Sequence, residues 1–228
     1  MVRKLNANGG IMITASHNPI EWNALKFVNS LGTFLTQSQI ESLINIYHHS
    51  SFLLKPSTEY KDIIEDNSAY DIHISEILSS VDVEKIKNKK FKVVIDSCNG
   101  AGSIITVKLL KELGCEVIPI NTDVTKIFPR NPEPIPENLK QLCEVVKKEN
   151  AQVGFAQDAD ADRLAIVSEK GEAIGEEYTL AFAVKNILSK IKDATNLFVA
   201  TNLSTSKMVE DICNEYNVKC YKCSRKNC

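Results

Sequence analysis

Two groups of residues could do chemistry. In Thr14-Ala15-Ser16-His17-Asn18-Pro19 a hydroxyl, an imidazole, an amide and a proline stand together, with Lys26 a short way on. A serine beside a histidine, with a lysine nearby, could be an activated hydroxyl; turn chemistry alone would also place these residues in a loop. Far along the chain, Asp158-Ala159-Asp160-Ala161-Asp162-Arg163 sets carboxylates at every second position, directly after the apolar run 151–156. Hard oxygen ligands at that spacing, at the end of a strand, suit a divalent cation such as magnesium. A merely solvated acidic turn is the plainer alternative. An EF-hand loop would place Glu169 at its twelfth position, but Arg163 stands where that loop needs glycine, and 164–167 reads as a strand.

The elements that must position these residues follow from the apolar pattern. Ile11 to Ile13 reads as a buried strand delivering Ser16 to a tight exposed loop, and Ala24 to Val28 is a second apolar run that carries Lys26 among would-be core residues. After a turn at Ser30-Leu31-Gly32, Thr36 with Gln39 predicts a capping box, and Ile40, Leu43, Ile44 and Tyr47 keep one helical face, ending at His48-His49. From 50 to 68 the pattern loosens around Pro56, Ser57 and Thr58, as in a linker, and 70–81 suits a connecting helix.

A strand over 91–95, a helix over 104–113 ended by Gly114 and a strand over 115–120 make a βαβ unit. Asn99-Gly100-Ala101-Gly102 lacks the spacing of a dinucleotide loop and reads as a tight strand-to-helix turn. The proline-rich stretch 121–136 is a loop of the length that often carries function. Pro136 can open a helix whose face is Leu139, Leu142, Cys143 and Val146, with Lys147-Lys148 in its last turn. The run 151–156 is then a third strand, which puts the aspartates just past its carboxyl end, where open α/β sheets bind ligands. A turn around Gly171, helices over 178–191 and 204–216 and strands over 197–200 and 218–221 begin another α/β unit.

With 43% hydrophobic and 25% charged residues in 228, the chain can bury a real core. Its 27 basic against 29 acidic residues make no field for nucleic acid or an anionic membrane and favour small-molecule chemistry. Arg3 and Lys4 lead into no apolar stretch and no run approaches a membrane span, so a cytoplasmic protein is expected. Seven scattered cysteines suit reduced thiols. Cys220 and Cys223, with Cys228 as a third candidate, have metal-like spacing, but no second pair closes a four-ligand site.

Thr14 to Pro19, Asn23-Ala24-Leu25-Lys26, Asn131-Pro132-Glu133-Pro134, Asp158 to Arg163 and Asn202-Leu203-Ser204-Thr205-Ser206 together resemble the α-D-phosphohexomutases, nearest the phosphoglucosamine and phosphomannomutase branch. The resemblance implies tandem α/β units with mixed sheets sandwiched by helices: 1–58 as part of a first domain with the phosphoserine loop, 68–172 as a second with the metal loop, and 173–228 as part of a third. It implies phosphoryl transfer between the 6- and 1-positions of a hexose or hexosamine phosphate, through a bisphosphate. Glucosamine phosphate is the first choice, with mannose and glucose phosphates as alternatives.

Ser16 would be the phosphoserine, Lys26 the acid or base, and His17 a support of the loop. Asn18 and Arg163 would bind phosphate, and Asp158, Asp160 and Asp162 would hold magnesium together with the Ser16 phosphate. Hexose 1,6-bisphosphate would be the activator. Ala159 stands where the family usually has glycine, which predicts strain if that residue takes positive φ. The family has four domains, so the reaction is expected to belong to a longer parent and this chain alone to have little or no mutase activity. A catalytically silent binding module and a metal-dependent phosphatase are the competing expectations.

Overall fold

The computed structural model describes residues 1–194 and 196–223, and the chain divides into two units, Met1–Val83 and Glu84–Cys228. In the first, β1 (Gly9–Ile13) and β2 (Leu25–Asn29) pair antiparallel, with Ile11 opposite Phe27 and Met12 opposite Lys26. The apolar run is not the buried strand its composition predicts: Ile11 is 62% and Ile13 71% exposed. The sheet here has only two strands, and a hairpin cannot cover its own faces without another layer.

Helix α1 (Gln37–His48) starts as predicted. Thr36 Oγ1 accepts from the Gln39 N–H at 3.4 Å, and Gln39 Oε1 accepts from the Thr36 N–H at 2.9 Å. These local bonds fix the helix start although Ile40, Ile44 and Tyr47 stay exposed. Residues 51–68 hold only a 3-10 turn, Ser57–Glu59. Helix α2 (Ala69–Ser79) then buries Ile74.

A short α3 (Val83–Lys87) leads to the larger sheet of the second unit. Its elements are β3 (Lys92–Asp96), α4 (Gly102–Glu112), β4 (Glu116–Ile120), α5 (Lys140–Glu149), β5 (Val153–Gln157) and β6 (Leu164–Ser168). The strand order is β4-β3-β5-β6; β3 is parallel to both neighbours and β6 antiparallel to β5. Alternation along β3 sorts the core. Val94 joins Leu142 and Val146 of α5 on one face, while Val93 and Ile95 join Leu110 of α4 on the other. A helix therefore covers each face, as parallel strands require.

Beyond β6, α6 (Glu177–Leu188), β7 (Phe198–Asn202), α7 (Lys207–Glu215) and β8 (Lys219–Cys223) make a βαβ unit with β7 and β8 parallel. Leu188, Val209, Cys213 and Val218 form its core. Cys220 and Cys223 lie on β8, and Cys228 lies outside the described residues. Among the described residues, the one acidic, cysteine or histidine group close enough to hold a metal is elsewhere. No described helix is long and apolar enough to cross a membrane.

Candidate active site

The serine loop grows out of the β1–β2 hairpin. The Thr14 N–H donates to the Ala24 carbonyl at 3.0 Å, extending the pairing one step past β1. Thr14 Oγ1 then accepts from the Ser16 N–H at 2.9 Å, and the Asn18 N–H donates to the Ala15 carbonyl at 3.2 Å. These bonds hold Ser16 at φ 56°, a left-handed conformation that costs a residue with a Cβ about 1–2 kcal/mol. Ser16 Oγ lies 3.4 Å from His17 Nδ1, and the tautomer decides which of them donates. Both are half-buried, as is Lys26 on β2, whereas Asn18 is exposed.

In the second unit the aspartates occupy the hairpin loop 158–163, between β5 and β6. β4 and β5 flank β3 on opposite sides, so the loop leaves the sheet beside the point where the strand order reverses. Asp158 is buried, Asp160 half-buried and Asp162 exposed, and one carboxylate oxygen from each lies within 4.8 Å of the others. Asp158 Oδ1 accepts from the Arg163 N–H at 3.1 Å, while its buried Oδ2 has no hydrogen-bond partner. Burial pushes the Asp158 carboxyl up to about 7; the Arg163 N–H opposes this, and the charges of Asp162 and Asp160 add to it.

A buried carboxylate oxygen without a donor, beside two further carboxylates, is a place that a cation would satisfy. The donor set is all oxygen, so these residues fit a hard divalent ion. The EF-hand alternative fails because 164–168 is a strand.

The backbone strain falls at a different alanine from the one expected. Ala161, not Ala159, takes positive φ, at 61°. Ala159 instead packs against the turn after β3, where its carbonyl accepts from the Ala101 N–H at 2.8 Å and a Cβ on Gly100 would collide with it. A Cβ on Gly102 would strike Gln157 Oε1, which accepts from Thr106 Oγ1 at 3.0 Å. Both glycines therefore allow the turn to close on the carboxylate loop. Arg163 is engaged through Nη1, which donates to Glu133 Oε1 at 3.2 Å.

Three residues of this region are absent from the sequence-based candidates. Asn99, at φ 55°, holds the 121–136 loop by donating to the Ile127 carbonyl at 2.8 Å and accepting from the Asp123 N–H at 3.0 Å. Arg130 and Asp96 form an ion pair, Nε to Oδ2 at 2.8 Å, whose side chains are 10% and 1% exposed. A signal for Arg130 did exist. Arg3, Arg130, Arg163 and Arg225 are the only arginines in the sequence, and in so lysine-rich a chain an arginine marks a place where a fork is needed.

Residues 1–53 match the family model for phosphoglucomutase/phosphomannomutase alpha/beta/alpha domain I, and residues 71–171 match that for domain II. The chain is 36% identical over 210 residues to a probable phosphoglucosamine mutase of Methanopyrus kandleri, covering 91% of this chain and 45% of that protein. It is 36% identical over 215 residues to a phosphoglucomutase/phosphomannomutase of Thermococcus kodakarensis, covering 94% and 46%. Among solved structures, a phosphoglucomutase/phosphomannomutase family protein from Burkholderia thailandensis superposes with a TM-score of 0.76 at 26% identity, over 96% of this chain and 45% of that one. The chain spans about half the length of the curated relatives it matches.

Proposed function

The chain belongs to the phosphoglucomutase/phosphomannomutase family, the α-D-phosphohexomutases, and from that premise we propose that it carries the phosphoserine and cation-binding residues of a hexosamine-phosphate mutase. Several relatives that it resembles are phosphoglucosamine mutases, which makes glucosamine phosphate the first choice of substrate. Mannose and glucose phosphates come next. The activity proposed is that of a whole protein containing these residues.

In this reading, phosphorylated Ser16 gives its phosphoryl group to a sugar monophosphate. The Oγ–P bond breaks as a sugar hydroxyl oxygen bonds to phosphorus, and the proton that hydroxyl loses ends on Ser16 Oγ, with Lys26 as the acid or base that relays it. The resulting bisphosphate turns round and returns its other phosphate to Ser16 Oγ, whose proton passes by the same route to the sugar oxygen released. Hexose 1,6-bisphosphate would load the serine. His17 steadies Ser16 Oγ. Arg163, oriented by Glu133, offers a planar fork to phosphate oxygens.

Asp158, Asp160 and Asp162 would hold the divalent cation, magnesium first. When bound, that ion supplies positive charge to offset the charge on phosphoryl oxygens during transfer. The observation that carries the reading is the buried Asp158 Oδ2, unpartnered among three carboxylates at the carboxyl end of the sheet. The described cysteines form no disulfide, in keeping with reaction in the cytoplasm.

Phosphorus NMR of glucosamine 6-phosphate incubated with a whole protein containing these residues, magnesium and a trace of hexose 1,6-bisphosphate tests this. Growth of a 1-phosphate signal is the expected result. Release of inorganic phosphate would mark a phosphatase instead, and an unchanged spectrum with any hexose phosphate would mark a silent binding module.

A further inference from the structure

We propose that Arg130 is the positioning residue of the carboxylate loop. It pins the backbone just before Asp158 and, at a second point, just before Glu133, and so sets both the cation ligands and Arg163. The proposal rests on the reading of Asp158, Asp160 and Asp162 as a cation site.

The guanidinium is used in three directions at once. Nε donates to Asp96 Oδ2 at 2.8 Å, Nη1 donates to the carbonyls of Asn131 and Pro132 at 3.1 Å each, and Nη2 donates to the Gln157 carbonyl at 2.7 Å. Gln157 directly precedes Asp158, and Pro132 directly precedes Glu133, the ion-pair partner of Arg163. Asp96 is itself tied down, since its Oδ1 accepts from the Cys98 N–H at 2.9 Å. One side chain thus links the end of β3, the end of β5 and the 121–136 loop.

With the side chain 10% exposed, little water competes for these bonds. A lysine could not replace them: one ammonium can meet Asp96 or a carbonyl, but it has no rigid fork to span all three segments. Four of the five guanidinium N–H groups are already committed, so Arg130 is not itself a phosphate ligand. The loop needs such an anchor because its three carboxylates repel one another, and only a fixed backbone keeps their oxygens within reach of one ion.

The test is Mn2+ binding to the full chain, read from the paramagnetic resonance of free Mn2+, in the parent, Arg130→Lys, Asp96→Asn, Asp158→Asn and, as a control, Leu142→Ala. Leu142 is buried on one face of the same sheet and makes none of the Arg130 hydrogen bonds, so its truncation lowers the unfolding midpoint while leaving those bonds in place. Arg130→Lys is expected to weaken Mn2+ binding by about 10- to 100-fold, as loss of an outer-shell partner does, while Leu142→Ala binds within about twofold of the parent. Should Arg130→Lys fail to fold, Asp96→Asn carries the test, with weakening of about tenfold expected from loss of the ionic anchor. The proposal is overturned if the folded Arg130→Lys or Asp96→Asn variant binds like the parent, or if Leu142→Ala loses as much affinity as they do. A parent that binds no better than Asp158→Asn removes the cation site itself, and the proposal with it.

Discussion

Replacing Asp158 by asparagine should stabilise the metal-free protein at neutral and alkaline pH while destroying its response to cations. The carboxyl is pushed up from 3.8 to about 7, first by burial and then by Asp162 and Asp160. An acid whose folded pKa is raised binds more protons in the folded than in the unfolded state. Stability is therefore highest below about pH 4, falls as pH rises from 4 to 7 and stays low above that. Three units at 1.36 kcal/mol each give at most about 4 kcal/mol, of which roughly 3 kcal/mol falls between pH 5 and pH 8.

Asparagine keeps the oxygen that accepts the Arg163 N–H and turns the orphaned Oδ2 into an amide that can donate to a neighbouring carboxylate. Asp66, Glu76 and Asp123, held low by hydrogen bonds to Ser68, Lys4 and Thr125, titrate below this window. Urea unfolding followed by circular dichroism in EDTA, at pH 5 and pH 8, reads the difference between parent and variant. Asp158→Asn should exceed the parent by about 1–2 kcal/mol at pH 5 and by up to roughly 4 kcal/mol at pH 8, with magnesium then stabilising the parent alone. A variant no more stable than the parent at pH 8 without metal would refute the reasoning.

Gly100→Ala should drive a Cβ into the Ala159 carbonyl, costing about 1–3 kcal/mol by urea unfolding and weakening Mn2+ binding in parallel. Cys98, whose thiol is pushed up from 9.0 to about 11 mainly by burial, contributes stability that is whole below pH 9 and lost as pH rises to 11. Cys98→Ala should flatten that alkaline decline by at most about 2 kcal/mol in urea melts at pH 8.5 and 10.5. Because Ser16 takes φ 56°, Ser16→Gly should be about 1 kcal/mol more stable than Ser16→Ala in thermal unfolding of the chain, and neither should accept phosphate at that position.

What the sequence discloses depends on how local the cause is. The Thr36–Gln39 capping box, the Gly114 helix end and, apart from the β5–β6 hairpin, the strands that alternate with helices from β3 to β8 follow from neighbours a few residues apart, and they stand close to where the pattern puts them. The carboxylate spacing likewise places Asp158, Asp160 and Asp162 past β5, because a strand end is visible in the apolar run. Coverage of an apolar strand is not a local property. Ile11 and Ile13 look like core by composition, yet they lie on a two-stranded sheet that cannot bury them. Arg130 escapes for the same reason: its partners Asp96 and Gln157 are 34 and 27 residues away. The positive φ at Ala161 depends on the register that sets Gln157 opposite Leu164 and forces a six-residue loop to close, which composition does not encode.

The most direct test of the phosphoserine assignment is phosphosite mapping of the purified chain after incubation with magnesium and glucose 1,6-bisphosphate. The account predicts phosphate on Ser16, and none anywhere on the Ser16→Ala variant. A folded chain that takes up no phosphate, or takes it up at another residue while Ser16 stays bare, would contradict it.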